Sequence, residues 1–105
     1  MLQEISKIKL KELLPGIKGR FVHTVNNTIG FIELEEGAIL PEHYHTHEQT
    51  TQVTEGKLKI TIDGETEIVE PGMIINIPSN IPHSAIAITP CKVTDIFSPA
   101  REDYK

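Results

Sequence analysis

Residues 37–56 read GAILPEHYHTHEQTTQVTEG and carry the most informative pattern in the chain. His43 and His45 are two residues apart, and on a β-strand such residues point to the same face, about 7 Å apart along the chain. Gln49 has the same parity, so a continuing strand would bring its amide oxygen to that face. Two neutral imidazoles and an oxygen are suitable ligands for a divalent metal ion. The pattern therefore predicts part of a metal site.

A second stretch, residues 72–83 (GMIINIPSNIPH), ends in His83 at the start of another predicted strand. From there His83 could supply a third nitrogen across a barrel, and the set would leave open positions on an octahedral ion. A His-x-His pair alone also occurs by chance on surfaces and in cores, so spacing leaves metal binding and ordinary packing equally open. We expect His47 to lie beside the ligands and His23 to be a structural histidine.

Short segments of alternating apolar and polar residues recur about every 8–12 residues, which is typical of an all-β sandwich or barrel. One of them, residues 57–62, is followed by Asp63-Gly64, a strong hairpin signal. We predict a three-residue loop here, with Gly64 in a left-handed conformation and Ile60 paired with Ile68.

Other segments fit the same all-β pattern. Residues 29–34 and 92–97 alternate, and residues 73–77 are predicted to form a short buried strand after the Pro71-Gly72 turn. Residues 5–14 combine strand-like alternation with helical spacing. For these we predict a strand that ends in a turn at Pro15-Gly16.

Composition excludes several classes of protein. The chain has 105 residues and a formal net charge of −5, with a sequence pI near 5.5, which argues against a nucleic-acid-binding protein. No apolar run approaches the roughly 20 residues of a membrane span. The N-terminus lacks the apolar region of a signal peptide, so we expect a cytoplasmic protein. The one cysteine, Cys91, is expected to pack in the core.

The C-terminal segment offers a second group of candidate residues. Asp95 and Phe97 share one face of a predicted strand, and Arg101 follows a turn at Pro99. A carboxylate, an aromatic ring and a guanidinium beside a Lewis acid would suit a small acidic sugar, with the carboxylate transferring protons and the guanidinium holding a carboxylate. The alternative is a core Phe97 and an ion-paired surface tail, and the residues alone slightly favour it.

Residues 37–56 and 72–83 together resemble the two motifs of the cupin family. The resemblance spans roughly residues 30–97 and implies one cupin domain over residues 1–105, a double-stranded β-helix or jelly-roll barrel whose interior holds the metal ligands. Gln49 stands where many cupins have Glu, and Asn80 replaces a usual Gly. A neutral ligand set leaves the +2 charge of the ion uncompensated, which favours Lewis-acid chemistry on a carbonyl or hydroxyl oxygen. Asn80 suits the turn because Asn tolerates positive φ.

Over nearly its full length the chain is similar to small cupins of pectin and alginate breakdown, which open the ring of 4,5-unsaturated monouronates to the linear keto form. Carried over, the resemblance implies Asp95 as general acid/base, Phe97 as packing surface and Arg101 as carboxylate-binding group. The metal ligands would be His43, His45, Gln49 and His83.

Two other functions stay open at this point, an iron-dependent cupin dioxygenase and a non-catalytic module that binds a metal or small ligand. The ligand set does not distinguish nickel, manganese, iron and zinc. A small-molecule substrate is expected in each enzymatic case. Because so short a hollow barrel has a limited core, we also expect a homodimer, paired through the N-terminal segment or a sheet edge.

Overall fold

A computed structural model describes residues 1–105 as two antiparallel β-sheets packed face to face. The ten strands are β1 (Lys11–Leu14), β2 (Ile17–His23), β3 (Thr28–Leu34), β4 (Ile39–His43), β5 (Glu48–Glu55), β6 (Leu58–Ile62), β7 (Glu65–Val69), β8 (Ile74–Ile77), β9 (His83–Ala87) and β10 (Cys91–Ser98). Short 3₁₀ segments cover Ile5–Lys7 and Glu102–Tyr104. No helix has the length and apolar character needed to cross a membrane.

The larger sheet has the strand order β1-β2-β3-β10-β5-β8, and the smaller has the order β4-β9-β6-β7. The chain passes repeatedly from one sheet to the other, and every strand pairing is antiparallel. This arrangement confirms the predicted all-β jelly-roll barrel.

The core lies between the two sheets and follows the period of two that alternation predicts. In β3 the residues at even positions, from Thr28 to Leu34, are buried, and those between them are more exposed. In β6, Leu58 and Ile60 are buried in the same way. Cys91 is also buried, as expected for a small apolar side chain.

The prediction for the β6–β7 hairpin is wrong in its register. Ile60 pairs with Glu67 and Ile62 with Glu65, so the loop has two residues, Asp63 and Gly64. Both have positive φ, 49° and 80°, which is the conformation of a two-residue type I′ turn. The prediction paired two isoleucines, but Ile68 lies on the outer face of an edge strand and is 42% exposed. Gly64 is left-handed, as predicted.

Two further predictions need correction. Residues 5–14 form a strand only in their second half, since a 3₁₀ turn takes up Ile5–Lys7 before β1. The strand β8 is at the edge of the larger sheet, so only Ile77 is buried and Ile74 is exposed to solvent. In β8 the alternation is present, but the strand lies at a sheet edge and only one of its residues is buried.

Candidate metal centre

The three candidate histidines come together from different parts of the chain. His43 is the last residue of β4, and His83, the first residue of β9, is its cross-strand partner. His45 lies in the connection after β4, and Gln49 is on β5 in the other sheet. The prediction that His43, His45 and Gln49 share one continuing strand is therefore wrong, because the chain changes sheets between them. Their side chains nevertheless converge, and one nitrogen from each histidine lies within 4.8 Å of the others.

Backbone carbonyls fix the orientation of each of the three rings. Every Nδ1 is hydrogen-bonded to a carbonyl oxygen, and because a carbonyl only accepts, each Nδ1 carries the proton. The contacts are His43 Nδ1 to Pro41 O at 2.8 Å, His45 Nδ1 to His47 O at 2.9 Å and His83 Nδ1 to Ile81 O at 2.8 Å. Each Nε2 is thus left with a lone pair, which is the arrangement that holds a metal-binding histidine in the correct tautomer.

Burial disfavours the protonated form of two of these rings, His83 and His45. Burial and the neighbouring His43 and His45 lower the pKa of His83 to about 4, although its hydrogen bond to Ile81 acts in the opposite direction. Burial also lowers the pKa of His45. The Nε2 of His83 is buried and has no hydrogen-bond partner in the protein. A buried lone pair without a donor fits a bound cation, so the three histidines could hold a metal ion.

Gln49 presents an oxygen to the same cluster. Its Nε2 donates to the Thr51 hydroxyl at 3.0 Å, and that hydroxyl donates to Asp95 Oδ1 at 2.7 Å. The Gln49 Oε1 then lies 3.2 Å from the Nε2 of His45, which is itself an acceptor. With neutral His45, two acceptors this close fit a shared metal cation, because both could donate a lone pair to it.

The carboxyl group of Asp95 lies in the cavity beside this cluster. Asp95, Gln49, Thr51, His43 and His83 all line the same pocket. Burial raises the pKa of Asp95 to about 6, against the lowering effect of the Thr51 hydroxyl. The group can therefore take up and release a proton near neutral pH.

Phe97 and Arg101 line the same cavity, so the structure brings together all the residues that the sequence singled out in this region. Both are buried, at 3% and 8% exposure. The guanidinium of Arg101 lies over the Phe97 ring, 4.8 Å from its centroid, and 4.1 Å from the centroid of Tyr104. Asp103 also binds Arg101 through a two-point ion pair, from Nε at 2.9 Å and Nη2 at 2.7 Å. The tail is thus ion-paired, as the alternative expected, but its guanidinium is inside the cavity.

Charge and burial compete at this ion pair. Burial by itself lowers the pKa of Arg101, but the hydrogen bonds and negative charge of Asp103 raise it above its ordinary value. The same hydrogen bonds hold the pKa of Asp103 below its usual range. Arg101 therefore stays charged inside the cavity.

Reasoning from sequence missed two residues of the site. Thr51 is two residues after Gln49 on β5, so both side chains point to the same face. This spacing could have identified Thr51 from the sequence. Tyr104 is the last residue of the short 3₁₀ segment Glu102–Tyr104, and no local pattern places its ring against Arg101 and Phe21.

The other two histidines lie outside the cluster. His47 contributes its backbone carbonyl to His45, and its ring is 5.6 Å from that of His45. His23 is hydrogen-bonded to the hydroxyl of Thr28 at 2.9 Å.

Comparison with known proteins assigns the family. Residues 30–97, well over half of the chain, match the family described as the cupin domain. The chain belongs to the cupin family. Asn80 of this cupin has a φ of 62°, so it adopts the conformation expected of an Asn in place of the usual Gly.

Three relatives stand out among the known cupins. The chain is 29% identical to the pectin degradation protein KdgF of Dickeya dadantii (strain 3937) over 97 residues, 90% of this chain and 88% of that protein. Its fold matches KdgF from Halomonas sp. with a TM-score of 0.90 and 28% identity, covering 95% of this chain and 94% of the other. It also matches an RmlC-like cupin from Shewanella frigidimarina NCIMB 400, with a TM-score of 0.93 and 26% identity, covering 98% and 94%. The chain thus resembles the small cupins of pectin degradation.

Proposed function

We propose that this protein is a metal-dependent enzyme that opens the ring of 4,5-unsaturated monouronates to the linear keto acid. The observation that carries the proposal is the one cavity that His43 and His83 of the histidine cluster share with Asp95, Phe97 and Arg101. Similarity to a protein named for pectin degradation supports the choice of an unsaturated sugar acid as substrate. The cytoplasm is the proposed location.

His43, His45, His83 and Gln49 would hold the metal ion, one of nickel, manganese, iron or zinc. A bound divalent ion would polarise a hydroxyl or carbonyl oxygen of the substrate. The Nδ1 hydrogen bonds to backbone carbonyls keep the three rings oriented for this task.

The reaction is an isomerisation, so one proton carrier is enough. Asp95 as carboxylate takes the proton of the C1 hydroxyl, the C1 carbonyl forms and the bond from C1 to the ring oxygen breaks. The electron pair passes through the ring oxygen and the C4–C5 double bond, and C4 receives a proton from Asp95. No oxidant or water is consumed, and the ketone forms at C5.

Arg101 and Phe97 would bind the substrate rather than transform it. Asp103 occupies the Nε and Nη2 of Arg101, so the proposed contact to the uronate carboxylate is assigned to Nη1. The Phe97 ring offers a flat apolar surface for the sugar ring.

The test is an anaerobic assay of the metal-loaded protein on 4,5-unsaturated galacturonate, following ring opening by NMR against the spontaneous rate. We expect acceleration by the wild type and a loss of at least about 100-fold in Asp95→Asn, which removes the proton carrier. Asp63→Asn, the same change in the exposed β6–β7 turn, is the matched control and should keep full activity. Calorimetric titration with Ni²⁺ should show that Asp95→Asn still binds the ion.

No acceleration with Ni²⁺, Mn²⁺, Fe²⁺ or Zn²⁺ would refute ring opening of this substrate. Turnover that needs both Fe²⁺ and O₂ would instead support the dioxygenase alternative. Full activity in Asp95→Asn would refute its role as acid/base.

A further inference from the structure

We infer that Thr51 is a positioning residue that connects Asp95 to Gln49 and so fixes which end of the Gln49 amide faces the histidine cluster. The inference rests on the proposed function, since it concerns the same site. It assigns a role to Thr51, a cavity residue to which the proposed function gives none.

The single proton of the Thr51 hydroxyl sets the direction of both of its side-chain hydrogen bonds. A threonine hydroxyl has one donor and two acceptor positions. The 2.7 Å contact to Asp95 Oδ1 uses the donor, because a carboxylate oxygen only accepts. The hydroxyl can then only accept from Gln49, at 3.0 Å, and this requires the NH₂ end of the amide. The opposite end, Oε1, is thereby turned toward His45.

Burial separates Thr51 and Gln49 of this Asp95–Thr51–Gln49 relay from solvent. Thr51 is 2% exposed and Gln49 is 7% exposed, so neither can exchange this contact for solvent without moving. Asp95 and Thr51 are direct cross-strand partners in the β5–β10 pairing, and Gln49 is two residues before Thr51 on the same face. The backbone of the larger sheet therefore sets the spacing of the relay.

The relay also gives a reason for Gln49 where many cupins carry Glu. A carboxylate at position 49 has no donor, so it would compete with Asp95 for the one proton of Thr51. Only the amide can donate to Thr51 and still present an oxygen to the cluster. Gln49, the neutral ligand, and Asp95 are thus linked through the Thr51 hydroxyl in one hydrogen-bonded unit.

Three variants test the inference. Thr51→Val keeps the shape and removes the hydroxyl, Thr51→Ser keeps the hydroxyl and removes the methyl group, and Thr94→Val makes the same change on the outer face of β10. Titration with Ni²⁺ by calorimetry is the first readout. We expect Thr51→Val to bind Ni²⁺ about 10-fold or more weakly, as for other residues that orient a ligand, with affinity recovered in Thr51→Ser and unchanged in Thr94→Val.

The second readout needs no metal. In ¹H–¹⁵N spectra of the metal-free protein, we expect the Gln49 side-chain amide signal to move in Thr51→Val and to return in Thr51→Ser. Wild-type Ni²⁺ affinity and an unmoved amide signal in Thr51→Val would overturn the inference, as would Thr51→Ser behaving like Thr51→Val. If Thr51→Val does not fold, Thr51→Ala takes its place in both readouts.

The two proposals can fail separately. If the wild type opens no uronate ring, the proposed function fails, while Ni²⁺ affinity and the amide signal still decide the role of Thr51. If the ring opens but Thr51→Val matches the wild type in both readouts, only the relay fails.

Discussion

Asp95 is a carboxyl group placed among cavity side chains, with the Thr51 hydroxyl as its hydrogen-bond donor. Burial penalises its charged form more than the Thr51 hydroxyl, the Gln49 side chain and Arg101 compensate, so its pKa rises to about 6. The folded protein therefore holds this proton more tightly than the unfolded chain does. This difference links a single side chain to the pH dependence of stability.

In the metal-free protein, the stability that Asp95 contributes should fall as the pH rises. The pKa of Asp95 is higher in the folded protein than in the unfolded chain. Its contribution to the free energy of unfolding is therefore greatest below about pH 4 and is lost as the pH rises through about 6. At about 1.4 kcal/mol per pKa unit, the loss is up to about 3 kcal/mol. We expect the free energy of unfolding of the wild type, relative to that of Asp95→Asn, to fall over this range. Urea unfolding of both proteins from pH 4 to 7 measures it, and a constant difference would contradict the prediction.

At the scale of elements, the turn between β5 and β6 shows how two connections of the barrel fit together. Gly56 has a φ of +86°, and a Cβ built on it would collide with the carbonyl oxygen of Pro90 and lie 2.7 Å from the Thr89 Oγ1. The backbone N–H of Lys57 donates to that same Oγ1 at 3.0 Å. The β5–β6 turn is thus in close contact with the β9–β10 turn, and only glycine fits.

Two glycine substitutions separate the cost of backbone strain at positive φ from the cost of a steric clash. Gly64, in the β6–β7 turn, has a φ of +80°, but a methyl group added to its Cα would have no neighbouring atom within 4 Å. Gly64→Ala should therefore cost only the backbone strain, about 1 kcal/mol, whereas Gly56→Ala should cost about 3 kcal/mol or more because backbone atoms must move. Chemical denaturation of both variants gives the comparison. Equal losses of unfolding free energy in the two variants would show that the contact between the two turns adds nothing to the cost of the substitution.

At the scale of the whole molecule, the candidate metal centre joins the two sheets. His43 and His83 belong to the smaller sheet and Gln49 to the larger, so a bound ion would tie the two layers together. The expected homodimer stays a prediction at this scale. Light scattering at micromolar concentration tests it, and a monomer would contradict it.

Metal addition should consequently raise the melting temperature. An ion that binds only the folded state at 100 times its Kd adds about 2.7 kcal/mol. For a chain of this size that is on the order of 10 °C or more. We expect this shift with Ni²⁺ in the wild type and in His23→Gln, whose imidazole lies outside the cluster, but not in His83→Gln. Differential scanning fluorimetry of the three proteins is the measurement, and an equal shift in His83→Gln would count against the site.

Much of this protein follows from local sequence. Alternation with a period of two, interrupted by turn residues, is a property of neighbouring residues, and it was enough to predict the β-sheet architecture. The same parity put Asp95 and Phe97 on one face of β10. Asn80 at positive φ also followed from local chemistry, because few residues other than glycine tolerate that conformation.

Other features were decided only when the sheets packed. The spacing of His43, His45 and Gln49 suggested one strand, but the chain leaves the smaller sheet after His43, and convergence depends on where the two sheets face each other. Likewise, the β6–β7 register depends on Ile68 lying outside the core, and no local pattern shows which face of an edge strand is covered. The contact of Thr51 with Asp95 joins residues 44 positions apart in the sequence. Local sequence sets the periodicity of each strand, whereas which strands become neighbours is set by burial of the whole chain.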